Sequence, residues 1–419
     1  FYYPRALCNG EEVPTQGEME SSHFCIDWRK KVVVQATLKP ACMNRVDVFF
    51  DAIEKRPVFD PIVARREWVF ENDRMRVVIN TDTGLVDSWK VDGEEYLKKD
   101  SFQLVAVDGT YNSWGLWTDE TACRRTFNLL TPHEGSEFSG LRDQVAPSVK
   151  VVEDGPVRTV VEALLGWHNS KIWQRYILPK EGASLEVETG VYWNENDTVL
   201  KMRIPTVLED GSYLGQVMFG HEALRQGGQE VVAQKWNALT DGRKALAVFN
   251  RGSHGSCEQD GVIGLTLLHS AGYSAADGNF ERTLRELRHT VRMEQGERLF
   301  SFRLQAGRAE ELMDRLDQEG QIYNEQPYAF AFSPSGNGEK KGTFVSVDDG
   351  AVLVSAFKRA ESGEGYTIRV FEGAGKDSRA VLRLPWAGVE TEIALKPFEL
   401  KTLHYDEAAG VIGEADLLD

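Results

Sequence analysis

Apolar and polar positions alternate with a period of two through most of the chain. The alternation is clearest over residues 32–38, 185–193, 299–304, 343–357, 366–371 and 391–405. Val, Ile, Thr and aromatic residues fill the alternate positions, as strands with one buried face require. Asp-Gly pairs punctuate these runs at 92–93, 108–109, 154–155, 210–211, 241–242 and 260–261. Asp-Gly tolerates the positive φ angles of tight hairpins. Many strands joined by such turns predict a mainly β chain of stacked antiparallel sandwiches with very little helix.

Helical spacing is clear in one segment. Residues 309–319 put Leu312, Met313 and Leu316 on one face and stop at Gly320, which predicts one short helix connecting two β units. Residues 280–289 are a second candidate with poor apolar spacing. No βαβ alternation occurs, which excludes a Rossmann fold or a TIM barrel. Composition shifts divide the chain into a small β domain at 1–65, a large β super-sandwich at 66–306, a short helical linker at 307–326 and a C-terminal β-sandwich at 327–419.

The chain has 419 residues, more than one ordinary core holds, which agrees with several domains. Hydrophobic residues make up 42% and charged residues 27%, the balance of a folded globular chain and not of a disordered one. The net charge of -17 argues against nucleic acid or an anionic membrane as partner. No apolar run approaches the ~20 residues of a membrane helix. The cysteines (Cys8, Cys25, Cys42, Cys123 and Cys257) are odd in number and lack C-x-x-C spacing, so reduced thiols are expected. No signal peptide is legible, and a cytoplasmic location follows as an expectation. The chain opens on Phe1-Tyr2-Tyr3-Pro4 without an initiator Met and is expected to be an excised fragment.

Candidate chemistry is sparse. None of the eight histidines shows H-x-H or H-E-x-x-H spacing, so no metal site is expected in this chain. Gly373-Ala374-Gly375-Lys376 lacks the Ser or Thr of a phosphate loop and reads as a hairpin loop. No G-x-S-x-G elbow occurs. Ser253, His254 and Ser256 are too close in sequence to form a triad by themselves. Glu222, Glu230 and Asp108 read as solvated charges or turn residues. No catalytic residue is therefore expected. Tyr111-Asn112-Ser113-Trp114-Gly115-Leu116-Trp117 packs three aromatics into a Gly-containing loop. Sugars bind by stacking C–H faces on such rings, while the alternative for Trp114 and Trp117 is a place in a sandwich core.

Several segments match a known family in order along the chain. They include Asp27-Trp28-Arg29-Lys30, Glu71-Asn72-Asp73, Glu153-Asp154-Gly155-Pro156-Val157-Arg158, Val191-Tyr192-Trp193, Leu200-Lys201, Asn250-Arg251-Gly252-Ser253-His254-Gly255, Leu267-Leu268-His269-Ser270 and Asn324-Glu325-Gln326-Pro327. Together they resemble the region after the catalytic domain in bacterial α-mannosidases of glycoside hydrolase family 38. The resemblance implies a small β domain, a mutarotase-like super-sandwich and a terminal β-sandwich. It implies a non-catalytic portion that supports an N-terminal domain holding the zinc ion, the nucleophilic Asp and the acid/base carboxylate of a retaining enzyme. No cofactor is expected in this chain, and no catalytic or metal residue carries over. α-Mannosides or oligosaccharides and the chain's own N-terminal catalytic domain are the expected partners, with a homo-oligomer left open and a bacterial cytoplasm as the setting. Asn112, Trp114, Trp117, Arg251 and His254 are the substrate-binding candidates. Asn112 stands where relatives often have an acidic residue, and His269 where they have Arg. Two alternatives stand beside this reading: a carbohydrate-binding module, and a mutarotase-like sugar epimerase using His221, Glu222 and His254. A chain separated from its catalytic domain is further expected to expose an apolar face.

Overall fold

The computed structural model describes residues 1–19, 31–55, 57–61, 66–109, 113, 124–273, 291–331 and 342–417. The antiparallel sandwiches predicted from the alternation are present. The large one is built on two sheets. In the six-stranded sheet, Thr198–Pro205 lies between Gln103–Asp108 and Val262–His269. In the ten-stranded sheet, Arg158–Trp167, Ser170–Pro179, Leu185–Trp193 and Gly296–Arg308 follow one another as neighbours. A four-stranded sheet over residues 67–95 joins them. All three contribute to one core, which includes Val77, Trp89, Leu104, Met202, Tyr176, Val187, Trp193 and Phe302. Alternation does the sorting. Ile172 and Val191 point into this core, while Trp173 and Tyr192 point away from it.

A second core of Ile368, Val370, Leu382, Leu384, Leu403 and Tyr405 fills a smaller sandwich of a three-stranded and a four-stranded sheet. At the other end of the chain, Tyr2–Cys8 pairs with Glu11–Val13 and Val46–Ala52, and a hairpin joins Thr15–Gly17 to Val32–Val34.

Three expectations change. The helix over 309–319 is two helices, Ala309–Met313 and Leu316–Asn324. Gly320 does not stop the second one. It lies inside it and packs on Trp236, where a Cβ would come within 3.2 Å of the ring. A further helix, Pro132–Phe138, starts with a capping box at Thr131 and Glu134. The runs 343–357 and 391–405 each hold two strands. The first breaks at Asp349-Gly350, where Val352 donates to the Asp349 carbonyl, and the second at Pro397-Phe398, where Phe398 takes a φ of 58°. The helix candidate at 280–289 lies outside the described residues.

The two sandwiches meet around Asp317 on the second linker helix. Its Oδ1 accepts from Trp236 Nε1 at 2.6 Å and Gln216 Nε2 at 2.8 Å. Its Oδ2 is buried, and a Cβ on Gly373 would lie 2.7 Å from it. Burial pushes the Asp317 carboxyl above the usual carboxylate range, opposed by the Trp236 and Gln216 hydrogen bonds. Phe219 meets Phe371, and His221 meets Phe398, across the same seam. The Gly373–Lys376 loop is shaped by the fully buried Glu372, whose carboxylate accepts from the amides of Ala374, Gly375, Lys376 and Phe398.

Candidate functional site

Of the five residues singled out for sugar binding, Asn112, Trp114 and Trp117 lie outside the described residues. Arg251 and His254 sit in the turn that carries the chain from Lys244–Asn250 in one large sheet to Gly255–Gln259 in the other. Arg251 donates from Nε to the Tyr323 carbonyl at 3.0 Å, and its guanidinium stacks 4.2 Å from the Tyr323 ring centroid. Arg303 lies 4.7 Å from the same ring. Asn324 donates to the Asn250 carbonyl at 3.0 Å. The turn is therefore stitched to the end of the linker helix, and Arg251 spends its planar cation on that joint. Burial pushes the Tyr323 phenol upward. His254 is exposed, with Nδ1 3.0 Å from the Gln234 carbonyl, a contact that requires the Nδ1–H form.

His221 lies on the strand Gly220–Ala223. It is wedged between Trp236 and Phe398 at the seam, and its neighbour Glu222 is exposed. The His269 imidazole packs on Gly109, where a Cβ would lie 3.0 Å from Nε2.

A polar cluster is found on the six-stranded sheet. Lys201 is fully buried. Its ammonium pairs with Glu230 and donates to the Cys257 thiol at 3.0 Å. Glu230 also accepts from Thr266 Oγ1 at 2.8 Å. Glu230 is thus not a solvated charge, because a buried cation needs a counter-ion. Val105, Val107 and Val199 form a fully buried apolar patch on the same sheet. Sequence offered little warning: Lys201 and Glu230 are 29 residues apart and Lys201 and Cys257 are 56 apart. Among the described residues, no three His, Cys, Asp or Glu side chains converge as metal ligands.

A different feature marks the N-terminal sheet. Pro4, Ala6 and Cys8 are buried on one strand. Their cross-strand partners Phe50, Val48 and Val46 are 47%, 43% and 39% exposed. Among the described residues, 46–52 form the sheet's edge, so the apolar side of an alternating strand faces outward there. Tyr2 and Phe1 extend this surface at 58% and 57% exposure. Phe49, on the reverse face, is 42% exposed and lies under the Arg5 guanidinium, which also pairs with Asp51. Contiguous exposed apolar surface of this kind marks an interaction site.

This unit is fastened to the large sandwich through Gln16. Its amide donates to Glu153 at 2.6 Å and accepts from the Val157 and Arg158 amides at 2.9 and 3.0 Å. Arg158 completes the joint with two hydrogen bonds to Glu153. The Glu153-Asp154-Gly155-Pro156-Val157-Arg158 stretch is therefore a docking turn.

Residues 70–277 match the family described as "Glycosyl hydrolases family 38 C-terminal domain". Residues 70–277 are a C-terminal domain of glycoside hydrolase family 38. Its sequence is 24% identical over 397 residues to Alpha-mannosidase G of Dictyostelium discoideum, covering 84% of this chain and 33% of that protein. Its fold is similar to a family 38 protein from Enterococcus faecalis, with a TM-score of 0.72 at 15% identity over 97% of this chain and 53% of the other. An alpha-mannosidase from Enterococcus faecalis V583 superposes with a TM-score of 0.69 at 15% identity, over 97% of this chain and 51% of that one. The chain thus spans about half the length of these solved relatives and a third of the curated one. No helix among the described residues is long and apolar enough to cross a membrane.

Proposed function

We propose that this chain serves as the non-catalytic C-terminal portion of an α-mannosidase, holding an N-terminal zinc-dependent catalytic domain that hydrolyses terminal α-mannosidic bonds. The observation that carries this reading is the outward apolar strand Val46–Ala52, with Val46, Val48 and Phe50 in register across from a buried strand. Covering such a surface contributes about 25 cal/mol per Å² of apolar area, and a catalytic domain is the partner that longer family members supply. The docking turn at Glu153–Arg158 would transmit the position of that domain to the large sandwich. Zinc belongs, in this reading, to that catalytic domain. The test is co-expression of the chain with the catalytic domain of its family. A stable complex is expected, and Val48→Asp with Phe50→Asp should dissolve it. A complex indifferent to both substitutions would remove this face from the proposal.

A second reading, carbohydrate binding by the chain itself, has one observation in its favour. A groove of about 570 Å³ opens on the outer face of the ten-stranded sheet, lined by Phe138, Trp173, Arg175, Tyr192, Glu297 and Leu299. Tyr192 is 53% exposed there. Titration with mannose and oligomannosides decides it: millimolar binding lost in Tyr192→Ala supports this reading, and no heat of binding rejects it.

A further inference from the structure

Lys201, Cys257 and Glu230 form a cluster that neither the interface nor the groove uses. The ammonium is fully buried, and the thiol is 4% exposed. A primary amine and a thiol sulfur 3.0 Å apart are within reach of one bridging oxygen atom. We propose that Lys201 and Cys257 are the site of an oxidative modification, a covalent nitrogen–oxygen–sulfur bridge formed with dioxygen and opened by thiol reductants.

The geometry supplies each part. Glu230 is paired with the ammonium and is placed to take its proton, leaving an amine lone pair. Glu230 is partly open to solvent, with 22% of its side chain exposed, so the proton has a way out. Val105, Val107 and Val199 lie on the same sheet, an apolar setting that admits a small apolar oxidant more readily than a charged one. In the step itself the amine loses one hydrogen and the thiol loses its hydrogen. One oxygen atom of dioxygen forms the N–O and O–S bonds, and the other leaves as water with the two hydrogens. Nitrogen and sulfur each give up two electrons, and dioxygen takes all four. A competing route carries the thiol alone to sulfenic and sulfinic acids.

Formation of the bridge has a structural consequence. The bridged nitrogen keeps one N–H but is no longer an ammonium, so Glu230 loses its counter-ion and keeps the Thr266 hydroxyl as a neutral donor. A buried ion pair that loses one member is destabilising, and the bridge thereby couples oxidation to the stability of the six-stranded sheet.

The experiment uses the whole chain, purified in air and in parallel under nitrogen with dithiothreitol, followed by non-reducing digestion and peptide mass mapping. The expected result is a linked pair of peptides containing Lys201 and Cys257, heavier than their sum by one oxygen less two hydrogens. It should be absent under nitrogen, reversed by dithiothreitol, and missing in both Cys257→Ser and Lys201→Arg. Circular dichroism of the variants confirms that the fold persists, and Cys257→Ser should fold even if Lys201→Arg does not. Three outcomes overturn the proposal: an unmodified thiol after aerobic exposure, Cys257 carried to sulfinic acid with no linked peptide, or a disulfide between Cys257 and another cysteine.

Discussion

Truncating Gln16 to Ala should undock the N-terminal unit without unfolding the large sandwich. The side chain is 2% exposed and makes three hydrogen bonds, two of them to the backbone amides of Val157 and Arg158. Each bond contributes about 1 kcal/mol net, and each buried amide left without an acceptor costs about 1–3 kcal/mol. With the Glu153 bond lost and two amides left without an acceptor, Gln16→Ala loses about 3–7 kcal/mol of local stability at the joint. A loss of about 3 kcal/mol raises the open population on the order of 100-fold. Native-state hydrogen exchange reads this directly at the Val157 and Arg158 amides. Exchange there should accelerate by that factor, while amides within Leu185–Trp193 stay unchanged. Gly155→Ala is a second variant with the same target, since its Cβ would lie 2.5 Å from Gln16 Oε1. Unaltered exchange at both amides in both variants would refute the docking role of Gln16.

Two further outcomes follow from the seam and the outer face of the ten-stranded sheet. Asp317 has a raised folded-state pKa through burial, so the folded form holds its proton more tightly than the unfolded chain. Its contribution to stability therefore grows as pH falls through that raised value toward the ordinary 3.8 and is lost above it. Asp317→Asn should flatten this pH dependence in thermal melts while keeping an acceptor for Trp236 and Gln216. Gly190→Val should expel Trp173, because a Cβ at Gly190 would fall 2.0 Å from that ring. A loss of about 1–3 kcal/mol, with a shift of tryptophan emission, is expected in denaturant titrations.

The sheets were readable in the chain because alternation survives burial on one face. Leu185–Trp193 appears in the structure with the bounds its pattern predicts. Breaks were harder. Asp349-Gly350 sits inside a run whose apolar rhythm continues on either side, so the turn hides within the pattern. The Pro132–Phe138 helix was legible in principle, from Thr131-Pro132-His133-Glu134, but its seven residues are too few to show a period. The polar joints were not legible at all. Gln16 and Glu153 are 137 residues apart, and Lys201 looks like any strand lysine until the fold removes it from water. Arg251 shows the converse. It was singled out as a sugar-contact candidate, and nothing in the sequence pointed to Tyr323, which the structure places against its guanidinium.

The most direct measurement is hydrolysis of an aryl α-mannoside by this chain alone, with and without added zinc, beside a gene product that includes the family's catalytic domain. We expect turnover from the longer protein and none above background from the chain in either condition. Robust turnover by the isolated chain, abolished by a substitution within it, would mean that the catalytic groups lie in these residues and that the supporting role proposed here is wrong.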